Sequence, residues 1–415
     1  MSPFSTPFTL LPVRSEERRA VVLALVYFFC LLSSYYLLRP VRDEMGILAG
    51  VDQLQWLFSA TFLVMLAMVP AFGWASSRWP RKRLIPAVYL FFIASLLLFY
   101  LLLQTGSSWA ARAFYVWISV YNLFVVSVFW SLMADLFTLG QGKRLFGIIA
   151  AGGSAGAIVG PGLAALLAQT AGTTQLLPAA ALLLVGALLC AHLLTRGGDA
   201  QASIEKGLGG GVLKGITEVI RQPRLQGIAA FIWMYTTLAT FLYFQQAHIV
   251  AGAFADSADR TTTFALIDLA VNSLTLVLQL FVSARVLIGI GLGPSLALVP
   301  ALLSIGFLAL AIAPVLAVLA GVQIARRAGN YGITRPAREV LFTGVGRNAR
   351  YKAKNFIDTV VYRGGDALAG WLYTGLKSAG LGLSGIAWLA VPLALAWAAL
   401  GLWLGRTCKE KPDEQ

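Results

Sequence analysis

Ala20 to Leu38 reads AVVLALVYFFCLLSSYYLL, an apolar run without a charged side chain. A helix needs about 20 mostly apolar residues to cross the hydrocarbon core of a bilayer, and this run is long enough. It follows Glu16-Glu17-Arg18-Arg19, and no small-residue cleavage site comes after it, which argues against a signal peptide. The run therefore predicts a first transmembrane helix.

Eleven further apolar runs are similar in length. The predicted spans are 20–46, 54–76, 84–103, 112–136, 145–169, 176–194, 226–250, 262–284, 292–312, 314–342, 352–375 and 384–404. Backbone polar groups must be satisfied within hydrocarbon, so each run is a helix or a closed-barrel strand. The runs are too long and too continuously apolar for barrel strands. The predicted fold class is an all-α membrane protein, a bundle of about twelve transmembrane helices.

The composition supports a membrane protein. Hydrophobic residues make up 58% of the 415 residues and charged residues only 12%, against roughly 25% charge in soluble domains. The net charge of +14 comes from Lys and Arg in connections on one side, which predicts cytoplasmic termini and contact with membrane lipids. Nucleic-acid binding is not expected, because it needs a basic patch on a soluble module. We expect a bacterial inner (plasma) membrane protein.

A Gly-rich connection divides the chain into two halves. Residues 195–225 form a predicted cytoplasmic linker between a six-helix half at 1–194 and a second at 226–415. Parallel repeats of six helices are the organisation of major facilitator transporters.

The connection between spans 2 and 3 resembles a loop motif of the major facilitator superfamily, G-x-x-x-D-R-x-G-R-R. Gly73, Arg78 and Arg81 match, while Ser77 replaces the Asp and Pro80 the second Gly. The same residues also fit a simple basic anchor at the membrane surface. The resemblance implies two packed six-helix halves and secondary transport by alternating access.

Span 5 is similar to that superfamily's antiporter motif. It places Gly147, Gly156 and Gly160-Pro161 in one helix, and small residues allow a neighbouring helix to approach closely. Ordinary small-residue packing is the alternative interpretation. We expect a gating or packing role for these residues and for the loop motif.

Charged residues inside spans point to function, because each costs roughly 2.5–3.5 kcal/mol to insert. Candidate substrate-binding residues are Arg39, Arg42, Arg326, Arg327, Arg363 and Lys354. Candidates for proton or ion coupling are Asp43, Glu44, Asp268, Asp358 and Asp366. Arginine forks suit carboxylate and phosphate oxygens, so the set predicts an anionic solute.

The placement of these charges leaves alternatives open. Pro40 predicts a break or kink at the outer end of span 1, with a solvated loop as the alternative and Arg42 near the outer mouth. Arg326 and Arg327 are expected near mid-bilayer and point about 100° apart, unless span 10 is broken around Gly329 to Gly332. The competing interpretation is structural pairing of these arginines with helix carbonyls or with Asp358, or ion pairing within span 11.

Two segments resemble the ATP:ADP antiporter family, a branch of the same superfamily. They are YYLLRPVRDE, from Tyr35 to Glu44, and RYKAKNFID, from Arg350 to Asp358. The family's first-helix binding Lys falls on Arg42, and its fourth-helix Glu has no counterpart here. The resemblance implies a nucleotide or a related anion.

The sequence predicts a secondary active transporter, an antiporter or proton-coupled, of a nucleotide or another phosphorylated or carboxylated metabolite. No P-loop, nucleophile–base pair or metal-ligand motif is legible, so no enzyme activity, cofactor or metal is expected. The expected partners are the small solute and lipids, with a monomer as the transport unit. A flippase or transporter of anionic lipids, a proton-coupled drug or metabolite exporter, and a non-transporting membrane sensor remain alternatives.

Overall fold

The computed structural model describes residues 13–196, 217, 219–342, 353–354 and 356–407. Most of the predicted linker at 195–225 and much of the connection before span 11 lie outside these residues. The division at 194 and 226 therefore stays a prediction.

Twelve long helices follow one another in the described residues, one for each predicted span. They are α1 (Arg18–Leu48), α2 (Leu54–Arg78), α3 (Arg81–Gln104), α4 (Ser108–Leu136), α5 (Leu139–Ala171), α6 (Leu176–Arg196), α7 (Pro223–Ala253), α8 (Ser257–Ile290), α9 (Leu292–Ile312), α10 (Leu316–Gly329, a π-helical turn Asn330–Thr334, then Arg335–Leu341), α11 (a π-helical turn Ile357–Val361, then Tyr362–Ser378) and α12 (Leu383–Thr407). The prediction of an all-helical membrane fold is confirmed.

Ten of these helices are long and apolar enough to cross a bilayer. The other two, α10 and α11, carry five of the eleven charged candidates, and each contains a π-helical turn, as α8 does at Leu278–Val282. A π-helical turn is a widened turn inserted in an α-helix, and such turns are frequent at functional sites. Among the described residues, α10 and α11 are therefore the helices that depart furthest from a simple membrane span.

The buried side chains form two hydrophobic cores. One is built from α1, α3, α4, α5 and α6, and the other from α7, α8, α9, α10, α11 and α12 with a few residues of the first half. Contacts between the halves run from α5 to α8 and from α2 to α11, and α1 also packs on α7 and α8. We call the end of the bundle that carries Arg18 and Thr407 the inner end, and the opposite end the outer end.

Glycines in α5 let it lie directly against α1. A Cβ at Gly156 would lie 2.5 Å from the carbonyl oxygen of Phe29, and one at Gly160 would lie 2.8 Å from that of Ser33. Such distances are possible only without a side chain, so the predicted packing role of these two glycines has a structural basis.

The other two glycines of the expected packing and gating set differ. Among the described residues, a Cβ at Gly73 or Gly147 would meet nothing within 4 Å, so the role expected of these two glycines stays a prediction. Pro161 is buried within an unbroken α5. Arg78 is exposed, and its guanidinium carbon lies 5.9 Å from the ring centre of Trp74. The side chain of Arg81 lies outside the described part of the structure.

Candidate functional site

The first charged segment lies inside α1. The helix runs through Pro40 to Leu48, and Asp43 and Glu44 are buried. The predicted break and the alternative of a solvated loop are therefore wrong. Pro40 is buried within the helix, and a helix bundle tolerates the missing backbone N–H at such a position.

An ion-paired triad joins the two halves at mid-depth. Asp268 on α8 accepts from Arg327 Nη1 on α10 at 2.6 Å, and Arg39 Nε on α1 lies 3.6 Å from the same carboxylate. Asp268 is only 1% exposed. Counting 1.5 Å per residue from the outer ends of their helices, all three lie about 14 to 17 Å deep, near the centre of a bilayer core.

Arg326 points to a different neighbour. Its Nη2 donates to Gln323 Oε1 at 2.8 Å, and its Nη1 donates to the Tyr235 hydroxyl on α7 at 3.4 Å. Gln323 in turn hydrogen-bonds Gln246 of α7. The helix is not broken near Gly329, because a π-helical turn continues it. The expectation that the two adjacent arginines face different neighbours agrees with this geometry.

Two buried donors and one buried acceptor in this region, Asp268 Oδ2, lack a hydrogen-bond partner among the described residues. Within the described part of the chain, Arg326 Nε and Arg327 Nη2 have no hydrogen-bond partner, although both residues are less than 10% exposed. A buried charged donor without a protein acceptor is costly, so a water molecule or a ligand is needed to satisfy it. Both donors suit an anionic oxygen.

Arg42 and Arg363 both line a cavity of about 110 Å³, which Asp366 also lines. Arg42 Nη2 lies 2.9 Å from Asp43 Oδ1, to which the Tyr243 hydroxyl also donates at 3.0 Å. Arg363 Nη1 is 3.9 Å from Asp366. Arg42 therefore lies between the halves, closer to the outer end of α1 than Arg39 does, and its place nearer the outer mouth stays a prediction.

These groups are treated together as the mid-depth cluster. Its members are Arg39, Arg42, Arg326, Arg327, Arg363, Asp43, Asp268 and Asp366. The cluster contains five of the six predicted substrate-binding residues and three of the five predicted coupling acids.

A larger cavity of about 250 Å³, called here the inner cavity, lies on the inner side of the cluster. It is lined by Phe231, Ile232, Tyr235, Asn330, Tyr331, Thr334, Arg335, Arg338, Asp358, Tyr362 and Arg363. Asp358 is 3.3 Å from Arg338, so the alternative in which it pairs with Arg326 or Arg327 is wrong. The π-helical turn that contains Asp358 shifts its direction on α11.

Lys354 lies apart from the mid-depth cluster. Its Nζ is 2.5 Å from Glu339 near the inner ends of α10 and α11, and the side chain is 41% exposed. This geometry is a surface ion pair, so the structure does not bring Lys354 to the other candidates. Glu44, a predicted coupling acid, is also elsewhere, at the outer end.

Sequence reasoning missed several cavity residues. Arg335 and Arg338 were visible as an i, i+3 pair, but they were not placed in the site. Tyr235 and Gln323 carry no sequence signal that separates them from ordinary span residues; only their contacts with Arg326 identify them.

The outer end is closed by polar contacts between the halves, which we call the outer seal. Buried Glu44 of α1 accepts from Arg260 of α8 through two bonds of 2.7 and 2.8 Å. Asp52, before α2, accepts from Lys377 Nζ at 2.5 Å and lies 3.3 Å from His248 Nε2. The described bonds between halves lie at this end and at mid-depth.

The comparisons with known proteins agree with this architecture. The family model of the Major Facilitator Superfamily matches residues 22–337, more than half of the chain. The chain belongs to the major facilitator superfamily. It is thus an integral, multi-pass membrane transporter rather than an enzyme.

Solved major facilitator structures share the fold. A bacterial homologue of the human lysosomal transporter Spinster, in an inward-facing and unoccupied conformation, is 13% identical with a TM-score of 0.65 and covers 97% of this chain and 100% of its own. The nucleoside transporter NupG has 13% identity, a TM-score of 0.66 and coverage of 96% and 100%. The POT family transporter PepTSo is 12% identical with a TM-score of 0.67, and the match covers 95% of this chain and 99% of its own. No curated protein sequence matches the chain.

Proposed function

We propose that this major facilitator transporter carries an anionic solute, which binds at the mid-depth cluster. The observation that carries the proposal is the pair of buried donors without an acceptor, Arg326 Nε and Arg327 Nη2, in the described residues. The oxygens of an anion that reaches these donors would satisfy them, and each bond would be strengthened by the charge of the guanidinium group.

The charge balance of the cluster also supports an anion. Five arginines face three carboxylates, so the cluster has a formal net charge of +2. A cationic solute would add to an unbalanced positive charge in a poorly solvated region, whereas an anion would reduce it. This argues against an exporter of hydrophobic cations.

The lining of the inner cavity favours a metabolite with a ring. Tyr235, Tyr331 and Tyr362 line it together with arginines, and aromatic faces stack on planar groups. A nucleotide, or another phosphorylated or carboxylated metabolite, combines such a ring with anionic oxygens. The resemblance of two segments to the ATP:ADP antiporter family supports the same class.

Alternating access gives the outer seal a role in transport. With both termini in the cytoplasm, as the basic connections predict for a bacterial inner membrane, this conformation is closed to the outside. The solute reaches the cluster from the cytoplasmic side through the inner cavity. We propose that Asp268 exchanges partners when the solute arrives, because the anion competes with this carboxylate for Arg39 and Arg327. Exchange of one anion for another, or coupling to a proton, completes the cycle.

Thermal unfolding of the purified full-length protein tests the anion. The panel is ADP, citrate, glucose 6-phosphate and lysophosphatidylglycerol, with adenosine as a neutral compound and tetraphenylphosphonium as a cation. A ligand at 100 times its Kd stabilises the folded state by about 2.7 kcal/mol, enough for a measurable rise in Tm. We expect a rise with at least one anion, abolished in Arg326→Gln and kept in Arg112→Gln.

Arg112 is a matched control because it lies at the outer end, where it binds Gln53 and the carbonyl of Ala49. Stabilisation by tetraphenylphosphonium alone, or an anion effect that Arg326→Gln leaves intact, contradicts the proposal. A response to lysophosphatidylglycerol without one to the soluble anions would assign the site to anionic lipids instead.

A further inference from the structure

The positive charge between the halves extends beyond the mid-depth cluster. In the inner cavity, Arg335 and Arg338 face one carboxylate, Asp358. Arg338 also contacts Glu339, but Glu339 is paired with Lys354, so these two cancel. The inner cavity thus adds +1 to the +2 of the cluster. Seven arginines face four carboxylates in the described residues, a formal net charge of +3.

Arg335 is the group whose charge is least compensated. It is exposed, it lines the inner cavity, and no carboxylate lies within 4 Å of it in the part of the chain that the structure describes. Eight residues separate it from Arg327 along α10, which corresponds to about 12 Å. The excess positive charge is therefore spread along the path between the cavity and the cluster.

A transporter that alternates between two open states must pass through a state in which the solute is closed off from water on both sides. In that state an unbalanced charge is costly, because the surrounding dielectric is low and bulk water no longer screens it. The closed state is most stable when the charge of the solute cancels that of the site.

We propose that the solute is an extended anion with about three negative charges, such as a nucleoside diphosphate or a tricarboxylate. This inference rests on the proposed function and names the charge class of its substrate. A monovalent anion leaves the loaded site at +2, and a divalent anion leaves it at +1. The spread of the arginines favours charges distributed along the solute over a compact ion.

Two charge series measured on the full-length protein test the proposal. The first compares AMP with ADP, because each added phosphate increases the negative charge, and the second compares succinate with citrate. Dissociation constants are obtained by calorimetry at pH 7.5 and constant ionic strength. In the series that binds, we expect the trivalent member to bind at least tenfold more tightly than the divalent one. Preference for ADP or for citrate distinguishes the two solute classes.

Arg335→Gln provides the decisive variant, because an exposed side chain is removed with little risk to folding. It lowers the site charge by one, so the ratio between trivalent and divalent affinities is expected to fall at least about threefold, given partial screening by water. Arg335→Lys keeps the charge and is expected to keep the ratio.

The outcomes separate this inference from the proposed function. Equal affinities for divalent and trivalent anions, or a ratio that Arg335→Gln does not change, overturn the charge proposal while the anion site stands. Absence of binding by every anion in both series overturns the charge proposal, and the proposed function falls as well when no anion of the thermal panel raises the Tm.

Discussion

The bond between Glu44 and Arg260 links α1 of the first half to α8 of the second, so the outer end opens only when it breaks. Glu44 is fully buried, with 0% of its surface exposed, and its two bonds of 2.7 and 2.8 Å satisfy both carboxylate oxygens. Arg260 also donates to the carbonyls of Phe254 and Ala255 within its own half. We therefore predict that Glu44→Gln shifts the protein towards an outward-open state.

The size of the shift follows from the burial of the pair. Removing one partner of a buried ion pair costs about 3–5 kcal/mol. Gln retains one acceptor for Arg260, and the two carbonyls still accept from the guanidinium group. We therefore expect a smaller cost to the closed state, of about 2–3 kcal/mol. Each 1.4 kcal/mol is a factor of ten, so the outward-open population should increase roughly 30- to 150-fold.

Pulsed electron paramagnetic resonance measures this population directly. Spin labels at Ser107→Cys and Ala379→Cys, exposed positions at the outer ends of the two halves, report the distance between them after replacement of the native cysteines. We expect a second, longer distance in Glu44→Gln. The control is Glu17→Gln, which breaks a similar two-bond pair with Arg144 inside the first half and should leave the distances unchanged. Identical distributions in both variants and the parent would refute the reasoning.

Two further predictions concern packing and surface charge. Gly156→Ala places a Cβ 2.5 Å from the Phe29 carbonyl oxygen, and the strain should lower the free energy of unfolding by about 1–3 kcal/mol, seen as a lower Tm. The control Gly147→Ala, whose Cβ would meet nothing within 4 Å among the described residues, should change the Tm little. Equal Tm values for the two variants would contradict the tight contact of α1 and α5. Lys377→Met removes a solvent-exposed pair with Asp52, which contributes only about 0–1 kcal/mol. The outward-open population, measured with the same spin labels, should therefore increase less than about fivefold. An increase as large as that of Glu44→Gln would show that the exposed pair closes the outer end.

The helices were predictable from sequence because hydrocarbon imposes a simple length rule. Each predicted span has a helix in the structure, with ends that differ by a few residues, as for span 11, predicted to end at 375 and extending to Ser378. The charged residues were equally visible, since a buried charge in a span is rare enough to mark a site. That is why the five arginines of the mid-depth cluster could be named in advance.

The pairing of those charges was not predictable. Pairing of Asp358 with Arg326 or Arg327 was one of the alternatives, but the π-helical turns in α10 and α11 shift the direction of side chains, and these turns have no clear signature in the sequence. Pro40 suggested a helix break, yet tertiary packing overrides this local preference and keeps α1 continuous to Leu48. Which half a partner comes from depends on packing over long sequence distances, as in the pair of Glu44 with Arg260.

The most direct test of an anion carried through the mid-depth arginines is counterflow in proteoliposomes. Vesicles are loaded with unlabelled ADP or citrate, and uptake of the same labelled compound is followed for the parent protein, Arg327→Gln and the control Arg112→Gln. Arg327 contributes one of the two buried donors without an acceptor in the described residues. We predict that the parent and Arg112→Gln accumulate at least one labelled anion, and that Arg327→Gln lowers its rate at least tenfold. Equal uptake by Arg327→Gln and the parent, or no exchange of either anion, would contradict the account.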